Sequence, residues 1–192
     1  MPNGECSRAV ISVKRVLDSC KKQLNFDHAH LTLLNVPADA VEPFCYINAT
    51  STQTDAFVTD LTVVRLGDTP CKARVRCRVT IPLQVCFADA NGQKYSCKSE
   101  ITVNEDVILY VPKPSVFPCE IIAVGGCTAA TGRFGDRTHC ECNACITIIT
   151  KVITEVDLVV PCYGYAQTPN AVDYEEQTCA QFFDMPLYPQ GQ

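Results

Sequence analysis

A strict two-residue alternation in the middle of the chain constrains the fold more than any other feature. From residue 75 to residue 87 every odd position is apolar or Cys, whereas the even positions before Pro82 carry Arg or Thr. Because successive side chains of a strand point to opposite faces, this pattern predicts a strand with one face in a core. Residues 89–92 (D-A-N-G) are a turn signal, and a second alternation follows. The sequence therefore predicts a β-hairpin over about residues 74–103.

Proline and glycine punctuate the remaining strand signals. Pro82 cannot donate a backbone hydrogen bond, so we expect its strand to be an edge strand or to carry a bulge there. Gly125 and Gly126 are predicted to end a strand, and residues 128–137 to form a loop. Apart from the hairpin, the predicted strands cover residues 30–36, 45–49, 56–66, 119–124 and 145–160.

Many short strands between turn signals predict an all-β protein, an antiparallel β-sandwich of jelly-roll type. Residues 9–24 leave two alternatives, a short N-terminal helix or a strand that begins at residues 9–13. We predict an N-terminal arm or connector at residues 1–24, a core at 25–166 and a C-terminal arm at 167–192. Whether the core is one sandwich or two β units divided near residues 67–70 stays open.

Fourteen cysteines among 192 residues indicate either metal ligation in a reducing compartment or disulfides formed after synthesis. The first residues lack the cationic and apolar regions of a secretory signal. We therefore expect synthesis in the cytoplasm and oxidation after that compartment opens. Cys6 and Cys179 lie in the predicted arms, and Cys86 projects from the polar face of its strand. With Cys20, these are the candidates for intermolecular disulfides.

One local group of residues has the chemistry of a metal site, namely His139, Cys140, Cys142 and Cys145. Thiolates and neutral imidazole bind zinc, and a C-x-x-C spacing lets two thiolates share one ion. If this segment continues into the strand that follows, Cys140 and Cys142 lie on one face and Cys145 on the other. Disulfides to neighbouring strands or subunits are therefore favoured, and a zinc-binding or thiol-buffering module is the alternative.

Composition and motifs argue against several other classes. A formal net charge of -5 disfavours nucleic acid as a partner, and no apolar run approaches the ~20 residues of a membrane helix. The motifs of phosphate loops, dinucleotide sites and hydrolase nucleophiles are absent, so we predict no enzyme, no catalytic residue and no cofactor. The basic stripe of Arg74, Arg76 and Arg78 is either a solvated face or an inter-subunit contact to acidic residues such as Glu155 and Asp157.

Three segments of the chain form a recognisable set: K-R-V-L-D-S-C at residues 14–20, the central strands at 73–83 and 101–107, and E-V-D-L-V-V-P at 155–161 with Y-G-Y after it. They resemble cysteine-rich spore-surface proteins of spore-forming Bacillota. The chain is also similar to the β-rich domain of SipL-like coat-assembly proteins and, in strategy, to endospore-appendage subunits. The resemblance implies a β-sandwich subunit whose connector, with Cys6, bonds to the next copy on the spore surface after lysis of the mother cell.

The sequence therefore favours a self-assembling structural subunit of a disulfide-cross-linked extracellular filament, spore coat or appendage layer. Its expected partners are copies of itself, joined through strand edges and disulfides, with other spore-surface proteins as further candidates. We expect neither nucleic acid nor a membrane among them.

Overall fold

A computed structural model describes residues 7–162, which are all-β and contain no helix. The strands form one antiparallel sheet, so the predicted antiparallel all-β class is confirmed. Accordingly, this part of the chain contains no helix that is long and apolar enough to span a membrane. The strands are β1 (Ser7–Thr32), β2 (Cys45–Ser51), β3 (Asp55–Arg65), β4 (Lys72–Ala88), β5 (Lys94–Tyr110), β6 (Glu120–Phe134) and β7 (His139–Cys162).

The described chain divides into two compact units. The first contains residues 7–13 and 157–162, and its side chains Val10, Leu158 and Val159 are exposed. The second contains residues 14–156. The domain boundaries predicted from the sequence stay predictions.

In the sheet, β7 lies between β1 and β6, and β4 has β5 on one side and both β2 and β3 on the other. Since β2 and β3 each also pair with β6, they follow one another along the same path between β4 and β6. Within the second unit, Leu34 forms an isolated bridge with Lys98 of β5, its N–H donating to the Lys98 oxygen at 2.8 Å. β1 lies at one end of the strand order, and the segment that follows it bridges to β5, which lies toward the other end. The sheet of this unit therefore wraps around its core.

β4 and β5 form the predicted hairpin and pair without a register shift, ending with Ala88 opposite Lys94. Gly92 in the turn has a φ of 78°, a conformation that glycine adopts without a Cβ clash. The carboxylate of Asp89 holds the turn by accepting backbone hydrogen bonds of 2.9–3.3 Å from Val41, Asn91 and Gln93.

The prediction that Pro82 marks an edge strand or a bulge is wrong, because β4 is an interior strand and its register is regular there. The β2 ladder on β4 ends at Leu83, and the β3 ladder begins at Thr80. The N–H of Thr52, in the loop between β2 and β3, donates to the Pro82 oxygen at 3.2 Å. The backbone of Pro82 thus faces a break between two ladders, where no strand requires its missing N–H.

The prediction that a glycine pair ends a strand before a loop at residues 128–137 is also wrong, because β6 continues to Phe134. A Cβ on Gly125 would lie 2.8 Å from Cδ1 of Ile81 in the core. A Cβ on Gly132 would lie 2.8 Å from a carbonyl oxygen of β7. These glycines allow close approach inside a strand rather than ending it.

The helical alternative for residues 9–24 is wrong as well, since the whole segment belongs to β1. Asp18, Cys20, Lys22 and Leu24 are half-buried and alternate with exposed residues, which is the period of a strand. The apolar residues of this segment fit both the 3.6-residue spacing of a helix and the two-residue spacing of a strand. Pairing with β7 selects the strand.

Two apolar clusters fill the core of the second unit. The larger contains Phe87 and Ile146, and the smaller contains Val75, Leu109 and Val152. Between the two clusters lies a layer of polar and thiol side chains, to which four strands contribute one residue each. Its members are Lys22, Cys77, Glu105 and Thr150.

Candidate functional site

The four candidate metal ligands do not converge. Cys140 and Cys142 point into the core, whereas Cys145 is exposed on the opposite face of β7, as the alternation predicts. His139 is exposed, and its Nδ1 lies 2.9 Å from the carboxylate of Asp136. Within residues 7–162 no group of three or more His, Cys, Asp or Glu side chains could hold a metal ion.

The inward-facing thiols of this region surround Tyr46, whose hydroxyl donates to the Ala129 carbonyl at 3.0 Å. Burial raises the pKa of Cys127 to about 11 and the pKa of Cys140 to about 12, and the neighbouring Cys142 adds to both shifts. Burial also raises the pKa of Tyr46. Since the thiolate is the reactive and metal-binding form, these thiols are protected at neutral pH.

Other thiols lie outside the core. Cys145 and Cys45 are exposed, and Cys86 is half-buried on the outer face of β4. All of these are free thiols in the structure. The sequence correctly places Cys86 outside the core, whereas it does not single out Cys45 or Cys145 for cross-linking.

Cys20 lies next to the polar layer. Burial raises its pKa, and the nearby Glu105 carboxylate raises it further. Burial and then Glu105 also raise the pKa of Cys77. Cys20 is half-buried and is therefore less accessible to a second molecule than Cys145.

The basic stripe on the outer face of β4 forms ion pairs within the chain. Arg74 donates two hydrogen bonds to Asp106, at 2.7 and 2.6 Å, and these bonds lower the pKa of that carboxyl group. Arg76 also reaches Asp106, at 3.3 Å, and Arg78 pairs with Asp60 at 3.3 Å. Because these pairs are exposed, each contributes at most ~1 kcal/mol to stability.

The acidic candidates Glu155 and Asp157 are exposed and form no ion pair within the described chain. Their predicted contact with the arginine stripe of a second copy stays a prediction. Cys6 and Cys179 lie outside the described residues.

An open groove of about 400 Å³ lies on the outer face of the sheet at the break between β2 and β3. We call it the Gly126 groove, because this residue has no side chain to fill the space between its neighbours. Thr147 stands opposite Gly126 in the register, and Val124 stands opposite Ile149. Ser51 and the loop of residues 52–54 form one wall, and the Thr54 oxygen accepts a 2.7 Å hydrogen bond from the N–H of Gly125.

The loop between β5 and β6 carries the most exposed large apolar side chain of the described chain, Val116, at 93%. Phe117 beside it is 67% exposed. We call these two residues the 116–117 knob. Pro114 and Pro118 flank the knob and limit its backbone freedom, and Ser115 donates a 2.6 Å hydrogen bond to the Phe117 oxygen.

The sequence predictions miss both the groove and the knob. The available signals are a glycine pair inside an apolar run and two apolar residues between prolines. Neither signal indicates a site without knowledge of which strands lie next to it.

No family model, curated protein or solved structure matches this chain.

Proposed function

We propose that this protein is a self-assembling structural subunit, joined to its copies by disulfides in an extracellular filament or in a spore coat or appendage layer. The observation that carries the proposal is the exposed thiol of Cys145 on an interior strand of the sheet. A thiol held outward on a rigid strand is accessible to a second molecule.

The geometry gives Cys145 no disulfide partner on β6, β2 or β4. On β6 it stands opposite Thr128, and Cys127 points to the other face of the sheet. The cysteines of β2 and β4 are two and three strand spacings away, about 10 and 14 Å. A disulfide requires Cα atoms about 4–7 Å apart with converging side chains. Among the described cysteines, those of β6, β2 and β4 do not meet this geometry with Cys145, which favours a bond to another molecule.

Exposed apolar side chains on the same rigid framework also support assembly. Phe57 and Val64 on β3 are both largely exposed, and burying such residues between copies would be favourable. The resemblance of residues 14–20, 73–83 and 155–161 to spore-surface proteins is the reason for proposing that location.

The test uses the full-length chain, oxidised in air as an equal mixture of unlabelled and ¹⁵N-labelled protein. Electrophoresis in detergent should give a ladder that collapses to 21.1 kDa only with reductant. Mass spectrometry should find disulfide-linked peptides with Cys145 that join light and heavy copies. Cys145→Ala should deplete the ladder, whereas Cys127→Ala, which removes a core thiol, should leave it intact. A single monomer band in both lanes, or linked peptides of one isotope only, would contradict the proposal.

A further inference from the structure

The Gly126 groove is built to receive apolar groups. Val124 and Ile149 are half-buried around the missing side chain of Gly126. Its volume of about 400 Å³ lies within the ~300–1,000 Å³ of typical ligand pockets. The groove therefore offers apolar contact area together with room for two side chains.

Within residues 7–162, most of the apolar surface of the 116–117 knob is uncovered, with Val116 93% and Phe117 67% exposed. The knob cannot reach the groove of the same copy, because residues 120–125 of β6 separate them by about 16 Å of strand. Any knob that enters a Gly126 groove must belong to a second copy.

Charge complementarity supports a second copy as the occupant. Lys113 precedes the knob by three residues and is exposed. Asp55 is exposed next to the groove, where it stands opposite Val124 in the register. Neither residue forms an ion pair within the described chain. The knob and the groove therefore each have a charged residue of opposite sign beside them.

We infer that Val116 and Phe117 of one copy insert into the Gly126 groove of a second copy, with Lys113 facing Asp55 across the contact. The inference rests on the proposed function and names the non-covalent contact that would align copies before disulfides form. Two different surfaces meet, so each added copy leaves one knob and one groove free. Such head-to-tail contacts give open filaments or rings rather than closed dimers.

The first experiment measures association of the full-length chain by sedimentation velocity in excess reductant, so that disulfides make no contribution. The parent should form a concentration-dependent series of oligomers. Phe117→Ser removes the larger part of the knob, and Gly126→Val fills the groove. Each variant should lower the association constant at least tenfold, because aromatic anchors in pockets dominate such contacts.

Both variants should fold normally. Phe117 lies outside the core, and a Cβ on Gly126 would meet nothing closer than the Ser51 hydroxyl at 3.8 Å. Equal melting temperatures and circular dichroism spectra check this. Ile108→Ser is the matched control, since Ile108 is a 59% exposed apolar residue elsewhere on the outer surface. It should leave the association constant unchanged.

Mixing the two variants gives the sharpest result. The Phe117→Ser chain keeps its groove, and the Gly126→Val chain keeps its knob, so one intact contact remains possible between them. An equimolar mixture should form a 1:1 complex and no larger species, whereas each variant alone stays monomeric. Lys113→Asp or Asp55→Lys alone should weaken parent assembly, and the two changes combined in one chain should restore it.

The inference and the proposed function fail in different ways. If the variants associate like the parent, or if their mixture stays monomeric, the knob and groove do not meet, and a disulfide ladder on oxidation would still support the proposed function. If the reduced parent is monomeric at every concentration, the inferred contact is wrong. If oxidised parent also gives no ladder, the proposed function fails too.

Discussion

Replacing Lys22 by Met should leave an uncompensated carboxylate inside the protein. Its ammonium lies 3.3 Å from Oε1 of Glu105, whose side chain is only 1% exposed. Neither carboxylate oxygen of Glu105 accepts a hydrogen bond, so Lys22 supplies the compensating charge. The variant retains most of the apolar stem of Lys22 and removes the charge, which isolates the electrostatic effect.

The magnitude follows from the burial of the two partners. Removing one member of a buried ion pair typically costs about 3–5 kcal/mol. The Lys22 side chain is 37% exposed, which weakens the pair and favours the lower end, about 3 kcal/mol. For a chain of this size, that loss corresponds to a melting temperature lower by about 6–12 °C.

Urea unfolding in reductant, followed by far-ultraviolet circular dichroism, would measure the free energy of unfolding of four variants: Lys22→Met, Glu105→Met, these two changes combined, and Arg78→Met. Glu105→Met combined with Lys22→Met should recover most of the loss, because neither charge then remains buried. Arg78→Met is the matched control, since its pair with Asp60 has the same 3.3 Å separation but side chains 55% and 65% exposed. It should cost at most ~1 kcal/mol. Equal losses for Lys22→Met and Arg78→Met, or additive losses in the double variant, would refute the reasoning.

Three further predictions concern thiols, packing and pH. Iodoacetamide at pH 8.5 should label Cys145 roughly a thousandfold faster than Cys140, because the Cys140 thiol, with a pKa of about 12, is almost entirely protonated at that pH. Equal labelling rates of the two thiols, measured by mass spectrometry, would contradict this. Gly125→Ala should lower the unfolding free energy by about 1–3 kcal/mol through overpacking against fully buried Ile81, and an unchanged urea midpoint would contradict it. Hydrogen bonds from the Thr138 N–H and the His139 ring lower the pKa of Asp136 to about 2, below the ~3.9 of an unfolded Asp. The stabilisation from the ionised carboxylate is therefore present above about pH 4 and is lost as the pH falls through 2. Denaturant titrations should show that the difference in unfolding free energy between the parent and Asp136→Asn narrows over that range. A difference that does not change with pH would contradict the assignment.

Parity along a single strand explains why some predictions succeed. Residues 75–87 alternate over more than six pairs of positions, so the core face of β4 follows from local sequence alone. The same rule correctly separates Cys140 and Cys142 from Cys145. Each of these predictions needs only the rule that neighbouring side chains of a strand point to opposite faces.

The failures occur where the deciding atoms belong to distant segments. Pro82 is tolerated in an interior strand because β2 and β3 separate in front of it, and Gly125 continues a strand because Ile81 occupies the space of a side chain. Residues 9–24 have apolar positions that suit a helix and a strand equally, and pairing with β7 decides between them.

The sequence by itself determines the strand period, the central hairpin and the faces on which Cys86, Cys140, Cys142 and Cys145 lie, because these depend on neighbours two residues apart. Only the tertiary structure decides which strands lie side by side. It thereby brings Lys22 to Glu105 across 83 positions of sequence and opens a groove at Gly126 beside the loop of residues 52–54. Such features depend on the register between strands, which a local pattern of hydrophobic and polar residues does not specify.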